Sequence, residues 1–194
     1  MTSRKVSIAA FAGSLRKKSF NRGLLRAVVA LAPPDVEIRV VDIDDLPLFN
    51  ADLEDETNPL PPVKRLCDAI KGADALLIVT PEYNYSIPAV TKNVLDWASR
   101  TDGVLDDKPT ALMGASPGGF GTVRCQFHLR QAAVENNMHV LNEPELYVSR
   151  ARTKFDENGD LTDEETRKHV VELLEALAAF ARRLNQGNGQ SVRS

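Results

Sequence analysis

The stretch that most constrains this chain is residues 73–80, its most continuous apolar run, with Ala75-Leu76-Leu77-Ile78-Val79 at its centre. A strand apolar at successive positions has no solvent face, which is the condition of a central strand in a parallel sheet covered by helices on both sides. Residues 6–11 read the same way. Residues 36–42 alternate and then turn apolar, residues 109–115 form a fourth strand, and residues 140–141 with 145–148 form a split fifth. Stretches with helical spacing lie between them at 20–31, 63–71, 89–99 and 122–137, and a last helix runs from a cap at Thr162 or Asp163 to about Leu184. Ser19 is the expected N-cap of the first helix, Pro33-Pro34 end it, and Gly72 closes the second. Strands alternating with helices, without an internal repeat, predict an α/β fold: a doubly wound, five-stranded parallel sheet with helices on both faces. The 194 residues, 43% of them hydrophobic, suffice for one core, so residues 1–184 are read as a single domain. Residues 185–194 are polar and contain glycine, the composition of a frayed tail.

Several function classes are disfavoured. Net charge is −3, and no run of Lys and Arg exceeds Arg16-Lys17-Lys18, so no nucleic-acid footprint is expected. No apolar stretch approaches the length of a membrane span, and the N-terminus leads straight into a strand without a signal peptide, which points to the cytoplasm. Cys67 and Cys125 form no CxxC and are read as free, buried thiols. His128, His139 and His169 are scattered, so no metal site is expected.

In open α/β sheets ligands sit beyond the C-terminal strand ends, at the switch in strand order. The loops after the first, third and fourth strands are the three of unusual composition. Residues 12–19 hold Gly13, Ser14, Arg16 and Ser19 before a helix, and Asn21 follows. Neither the dinucleotide fingerprint nor the NTPase P-loop is present. Hydroxyls, a guanidinium and a helix N-terminus suit one phosphate; the plainer reading is a solvated turn with Ser19 capping the helix. Pro81-Glu82-Tyr83-Asn84-Tyr85-Ser86-Ile87-Pro88 is a stiff loop whose amides near Glu82–Asn84 suit the carbonyl edge and N5 of an isoalloxazine ring; alternatively its tyrosines simply pack on helices. Ser116-Pro117-Gly118-Gly119-Phe120-Gly121 carries three glycines, expected where backbone approaches a ligand or takes positive φ.

Gly13-Ser14-Leu15-Arg16-x-x-Ser19-x-Asn21, Pro81-Glu82-Tyr83-Asn84-x-Ser86-Ile87-Pro88 and Asn93-x-x-Asp96-Trp97 together resemble the NADPH-dependent FMN reductase family, within it the bacterial chromate and quinone reductases. The resemblance spans about residues 4–180. It implies a flavodoxin-like fold, non-covalently bound FMN, NADPH or NADH as co-substrate, and a homodimer or homotetramer. It also implies ping-pong two-electron reduction of quinones, flavins or metal oxyanions such as chromate, with hydride carried by the flavin N5 and no protein nucleophile. Carried over, Ser14, Arg16, Ser19, Asn21 and the amide of Phe20 match the phosphate loop. Pro81, Glu82, Tyr83 and Asn84 match the ring loop, and Ser116, Gly118 and Gly119 match the far side of the flavin. Asn84 and Arg100 are the expected substrate contacts, Arg100 serving equally well as a cation at a helix C-terminus. Leu48 and Phe49 are expected against a partner subunit, and Arg124, Phe127 and Glu145 serve either the site or a subunit contact. A flavodoxin-type electron carrier without its own substrate is the alternative; it calls for a more acidic chain and a phosphate loop without arginine. A cofactor-free binding module is the third class.

Overall fold

The computed structural model describes residues 4–55, 57 and 59–185. Strands β1 (Val6–Ala12), β3 (Ala75–Val79) and β4 (Pro109–Ala115) are buried along their whole lengths. With β2 (Val36–Val40), β5 (His139–Val140) and β6 (Leu146–Val148) they form one parallel sheet in the order β2-β1-β3-β4-β5, and β6 also pairs with β4. The expected five strand positions are therefore present, the fifth filled by two segments that pair with the two ends of β4.

Alternate residues of each strand feed two cores. Ile8, Ala10, Leu77, Val79, Ala111 and Met113 face α1 (Phe20–Ala30) and α5 (Glu164–Ser191), where Leu24, Val28, Leu173 and Leu177 meet them. Ala9, Phe11, Leu76, Ile78 and Leu112 face α2 (Pro61–Lys71), α3 (Ala89–Ala98) and α4 (Val123–Glu135), against Leu66, Ile70, Val94, Trp97 and Leu129. This period of two, apolar on both phases, is why the strand runs show no polar alternation.

The boundaries differ from expectation where chemistry is local. Helix α2 begins at Pro61 rather than residue 63. Proline lacks only an N–H that the first turn leaves unbonded anyway, and its fixed φ suits that position. Strand β2 stops at Val40, two residues early. Helix α5 has bounds Glu164–Ser191, beyond the expected end at Leu184, and the expected frayed tail lies, past residue 185, outside the described residues. Both cysteines are free and buried, and burial pushes the Cys125 thiol up to about 12.

Of the two candidate caps for α5, Asp163 serves: its carboxylate accepts the Thr166 amide at 2.9 Å, the Thr166 hydroxyl, and Lys154 Nζ at 3.2 Å. The Thr166 hydroxyl, then its amide, and Lys154 hold the carboxyl down to about 2, against an ordinary 3.8. A lowered folded value gives stability that is complete above pH 3.8 and lost as pH falls through about 2. Asp163→Ala is therefore expected to cost about 1 kcal/mol at neutral pH, with the difference from wild type shrinking toward about pH 2 in denaturant titrations.

Candidate functional site

The strand order reverses between β1 and β3, and the loops following β1, β3 and β4 meet above that point. They enclose a cleft of about 70 Å³, lined by Arg16, Ser19, Phe20 and Asn21 from the first loop, Pro81, Glu82 and Tyr83 from the second, and Ala115, Ser116 and Pro117 from the third. Gly13 is required for the first loop to pass, because a Cβ there would lie 2.0 Å from Thr91 Oγ1 and 2.8 Å from Thr80 Oγ1, two buried hydroxyls bonded to each other at 3.0 Å.

Within the first loop, Ser19 caps α1 by accepting the Asn21 amide at 3.2 Å. The Ser14 hydroxyl lies 3.5 Å from the Tyr83 hydroxyl, joining the first loop to the second. Arg22 fixes the loop from below, donating to Ser14 O at 2.9 Å and pairing with Asp44. Arg16 is exposed and makes only a 3.4 Å bond to Lys18 O, with no acidic partner among the described residues. In a chain whose other arginines are mostly paired with carboxylates, an unneutralised guanidinium beside a helix N-terminus suits an anion. Asn21 has a different task from the expected one: its side chain is buried, donating to Ala115 O at 2.9 Å and accepting the Ala115 amide at 2.8 Å. It ties the first loop to the third rather than reaching outward.

Glu82 is likewise turned inward. Its carboxylate is 5% exposed, accepts the amides of Arg124 at 3.0 Å and Cys125 at 3.2 Å, and pairs with the Arg124 guanidinium. It caps α4, whose own preceding Thr122 makes no capping bond. Only the backbone of Glu82 remains for the cleft. Asn84 and Tyr85 are exposed at the tip of the loop, both with positive φ, 49° and 67°. In the third loop only Gly121 has positive φ, where a Cβ would meet Tyr147 at 3.0–3.2 Å. Gly118 and Gly119 serve neither backbone strain nor internal packing: a Cβ on Gly119 would meet nothing within 4 Å, and one on Gly118 only Ser116 Oγ at 3.6 Å. Their glycine character leaves an open ledge.

Arg100 is not brought to this cleft. It grips Glu54 in a fork, at 2.8 and 3.2 Å, beside a hollow lined by Leu60, Val63 and Trp97. The 46–49 loop is also fixed within the chain. Asn93 accepts the Phe49 amide at 2.7 Å, Asn93 and Trp97 both donate to Pro47 O at 2.8 Å, and the Phe49 ring stands edge-on to Trp97 at 5.0 Å. Leu48 alone projects, 75% exposed. The Asn93 and Trp97 of the third motif are thus staples for this loop. Tyr85 and His128 are residues that sequence reasoning left without a place in the site, and Arg124, read there as serving either the site or a subunit contact, meets Tyr85 directly.

The residues present fit FMN. The cleft is below the usual size of a whole ligand pocket, but it matches a phosphate between Arg16, the serines and the first-turn amides of α1, while the ring would follow the open ledge between the second and third loops.

Comparison with known proteins agrees with this geometry. Residues 6–153 match the family described as NADPH-dependent FMN reductase, a span that contains all three loops. The chain is 43% identical over 180 residues to an NAD(P)H-dependent FMN reductase of Pseudomonas aeruginosa, covering 92% of this chain and 97% of that one. It is 44% identical over 184 residues to an NADPH:quinone oxidoreductase of Arabidopsis thaliana, covering 92% and 93%. Among solved structures, the flavoenzyme NAD(P)H:acceptor oxidoreductase FerB of Paracoccus denitrificans superposes with a TM-score of 0.82 at 33% identity, over 92% of this chain and 98% of that one. The fold is flavodoxin-like, and the chain belongs to the NADPH-dependent FMN reductase family.

Proposed function

We propose that this protein is an FMN-dependent NAD(P)H oxidoreductase that reduces quinones and free flavins by two-electron, ping-pong transfer. The observation that carries the reading is the meeting of an unneutralised Arg16, the α1 N-terminus and an open glycine ledge at the switch in strand order. When bound, FMN would supply the redox chemistry, two-electron transfer between NAD(P)H and the acceptor. Ser14, Arg16, Ser19 and the Phe20 amide hold its phosphate. The backbone of Pro81, Glu82, Tyr83 and Asn84 receives the ring, and Ser116, Gly118 and Gly119 flank its other side. Asn21 lines the same cleft, and its side chain ties the first loop to Ala115. Asn84, exposed at the loop tip, faces the acceptor. Arg100, already neutralised by Glu54, is left to the helix end.

Chromate as an acceptor, a cytoplasmic location and a homodimer or homotetramer belong to the same reading. Self-association is supported by Phe127 and Val134 on α4, 53% and 79% exposed, and among the described residues no helix is long and apolar enough to cross a membrane. The test is steady-state turnover of FMN-loaded protein with a benzoquinone, free FMN and chromate, each with NADPH and NADH. Quinone reduction is expected with at least one nucleotide. Absence of turnover with every acceptor favours the electron-carrier alternative.

A further inference from the structure

Residues 83–86 form a two-residue hairpin: the Tyr83 amide donates to Ser86 O at 3.2 Å and the Ser86 amide to Tyr83 O at 2.9 Å. Both central residues have positive φ, a pattern that favours Asn followed by Gly. Asn84 satisfies the first position. Tyr85 stands where glycine is preferred, in a conformation that a bulky residue keeps only when its surroundings hold it.

What holds it is the first turn of α4. The Arg124 guanidinium carbon lies 3.6 Å from the Tyr85 ring centroid and 5.1 Å from that of Phe120. The same guanidinium pairs with the buried Glu82 carboxylate, which in turn accepts the Arg124 and Cys125 amides. One turn further along, His128 Nδ1 lies 2.9 Å from Ser86 Oγ. A single side chain therefore touches the tip of the second loop, the start of the same loop, and the third loop.

We propose that Arg124 is a positioning residue for the cofactor: by clamping Tyr85 in its left-handed conformation and pairing with Glu82, it sets the backbone of residues 82–84 that receives the flavin ring. Its role at the ring rests on the FMN reading above, while the clamp itself is a property of the protein alone. The proposal separates Arg124 from the phosphate-binding residues. Its loss disturbs the ring end of the site and leaves the phosphate end intact.

The test uses the full chain, with and without FMN. In FMN-free protein, Arg124→Ala is expected to speed amide exchange at Tyr83 and Ser86 about tenfold or more while leaving β3 amides unchanged. In loaded protein it is expected to weaken FMN and riboflavin alike, by about two- to fivefold, because an exposed cation–π contact is of that size. Tyr85→Gly suits the positive φ without a clamp, so adding Arg124→Ala to it is expected to cost less FMN affinity than the same change in the wild type, the remainder being the lost pairing with Glu82. Tyr85→Leu removes the ring but keeps the strained backbone; it is expected to act like Arg124→Ala and carries the test if that variant does not fold. Unchanged exchange at Tyr83 and Ser86 in both single variants overturns the clamp. An equal loss of affinity from Arg124→Ala in the wild-type and Tyr85→Gly backgrounds overturns its route through Tyr85. Failure of the wild type to bind FMN would instead defeat the functional reading and leave the exchange result standing.

Discussion

Asn21→Ala is expected to lower the thermal midpoint of the FMN-free protein by about 6–12 °C, corresponding to about 3 kcal/mol. The last bond from β3 to β4 runs from the Thr80 amide to Met113 O at 2.9 Å, and Ala115 lies beyond it. The buried amide of Asn21 takes over, meeting both the N–H and the C=O of Ala115 across 94 residues of sequence. Alanine strands both backbone groups where water does not reach, and each stranded group costs about 1–3 kcal/mol. Asn21→Asp is no rescue. It keeps an acceptor for the Ala115 amide, loses the donor to Ala115 O, and buries a charge. Because the same bonds join the first and third loops, FMN affinity should fall with stability in both variants. Thermal midpoints within about 1 °C of wild type would show that Ala115 finds other partners.

Arg16→Ala is expected to do the reverse: leave stability within about 0.5 kcal/mol of wild type and weaken FMN by about 10–100-fold. Arg16 is exposed and its one internal bond is long, so the folded protein loses little. The phosphate loses a charge-assisted fork. Riboflavin, which has no phosphate, is the control, and its affinity should not change. A change of less than about twofold for FMN, or an equal loss for riboflavin, would remove Arg16 from the phosphate site. The contrast with Arg124, whose loss is expected to weaken both ligands alike, divides the cleft into a phosphate end and a ring end.

The fold was legible because its signal is local. Strands buried on both faces show as unbroken apolar runs, and Ser19, Pro33-Pro34 and Gly72 punctuate the helices as side-chain and backbone chemistry requires. The three loops were legible as a set because their composition is poorly explained by turns alone. The tasks of individual side chains were less so. Asn21 and Glu82 are polar residues in ligand-type motifs, yet both point inward, one closing the gap left at the end of β4, the other capping a helix that begins 41 residues later. No short-range pattern announces a cap supplied from so far away. Thr122 precedes α4 but its hydroxyl accepts from Gln126 at 2.9 Å, leaving the helix start to another residue. Phe49 was legible as apolar but not as the partner of Trp97, because a contact within the chain and one between chains leave the same mark in sequence. Gly118 and Gly119 were expected to be glycine for a ligand or for positive φ; neither has positive φ, and there is open space beside them.

The central claim is that the three loops hold one FMN reducible by a nicotinamide nucleotide. Anaerobic titration of the FMN-loaded protein with NADPH, followed by the visible flavin absorbance, tests it most directly. One FMN per chain is expected, released unmodified on denaturation, with full bleaching by one equivalent of NADPH. A colourless protein that takes up no added FMN, or a bound flavin left oxidised by both NADPH and NADH, would contradict it.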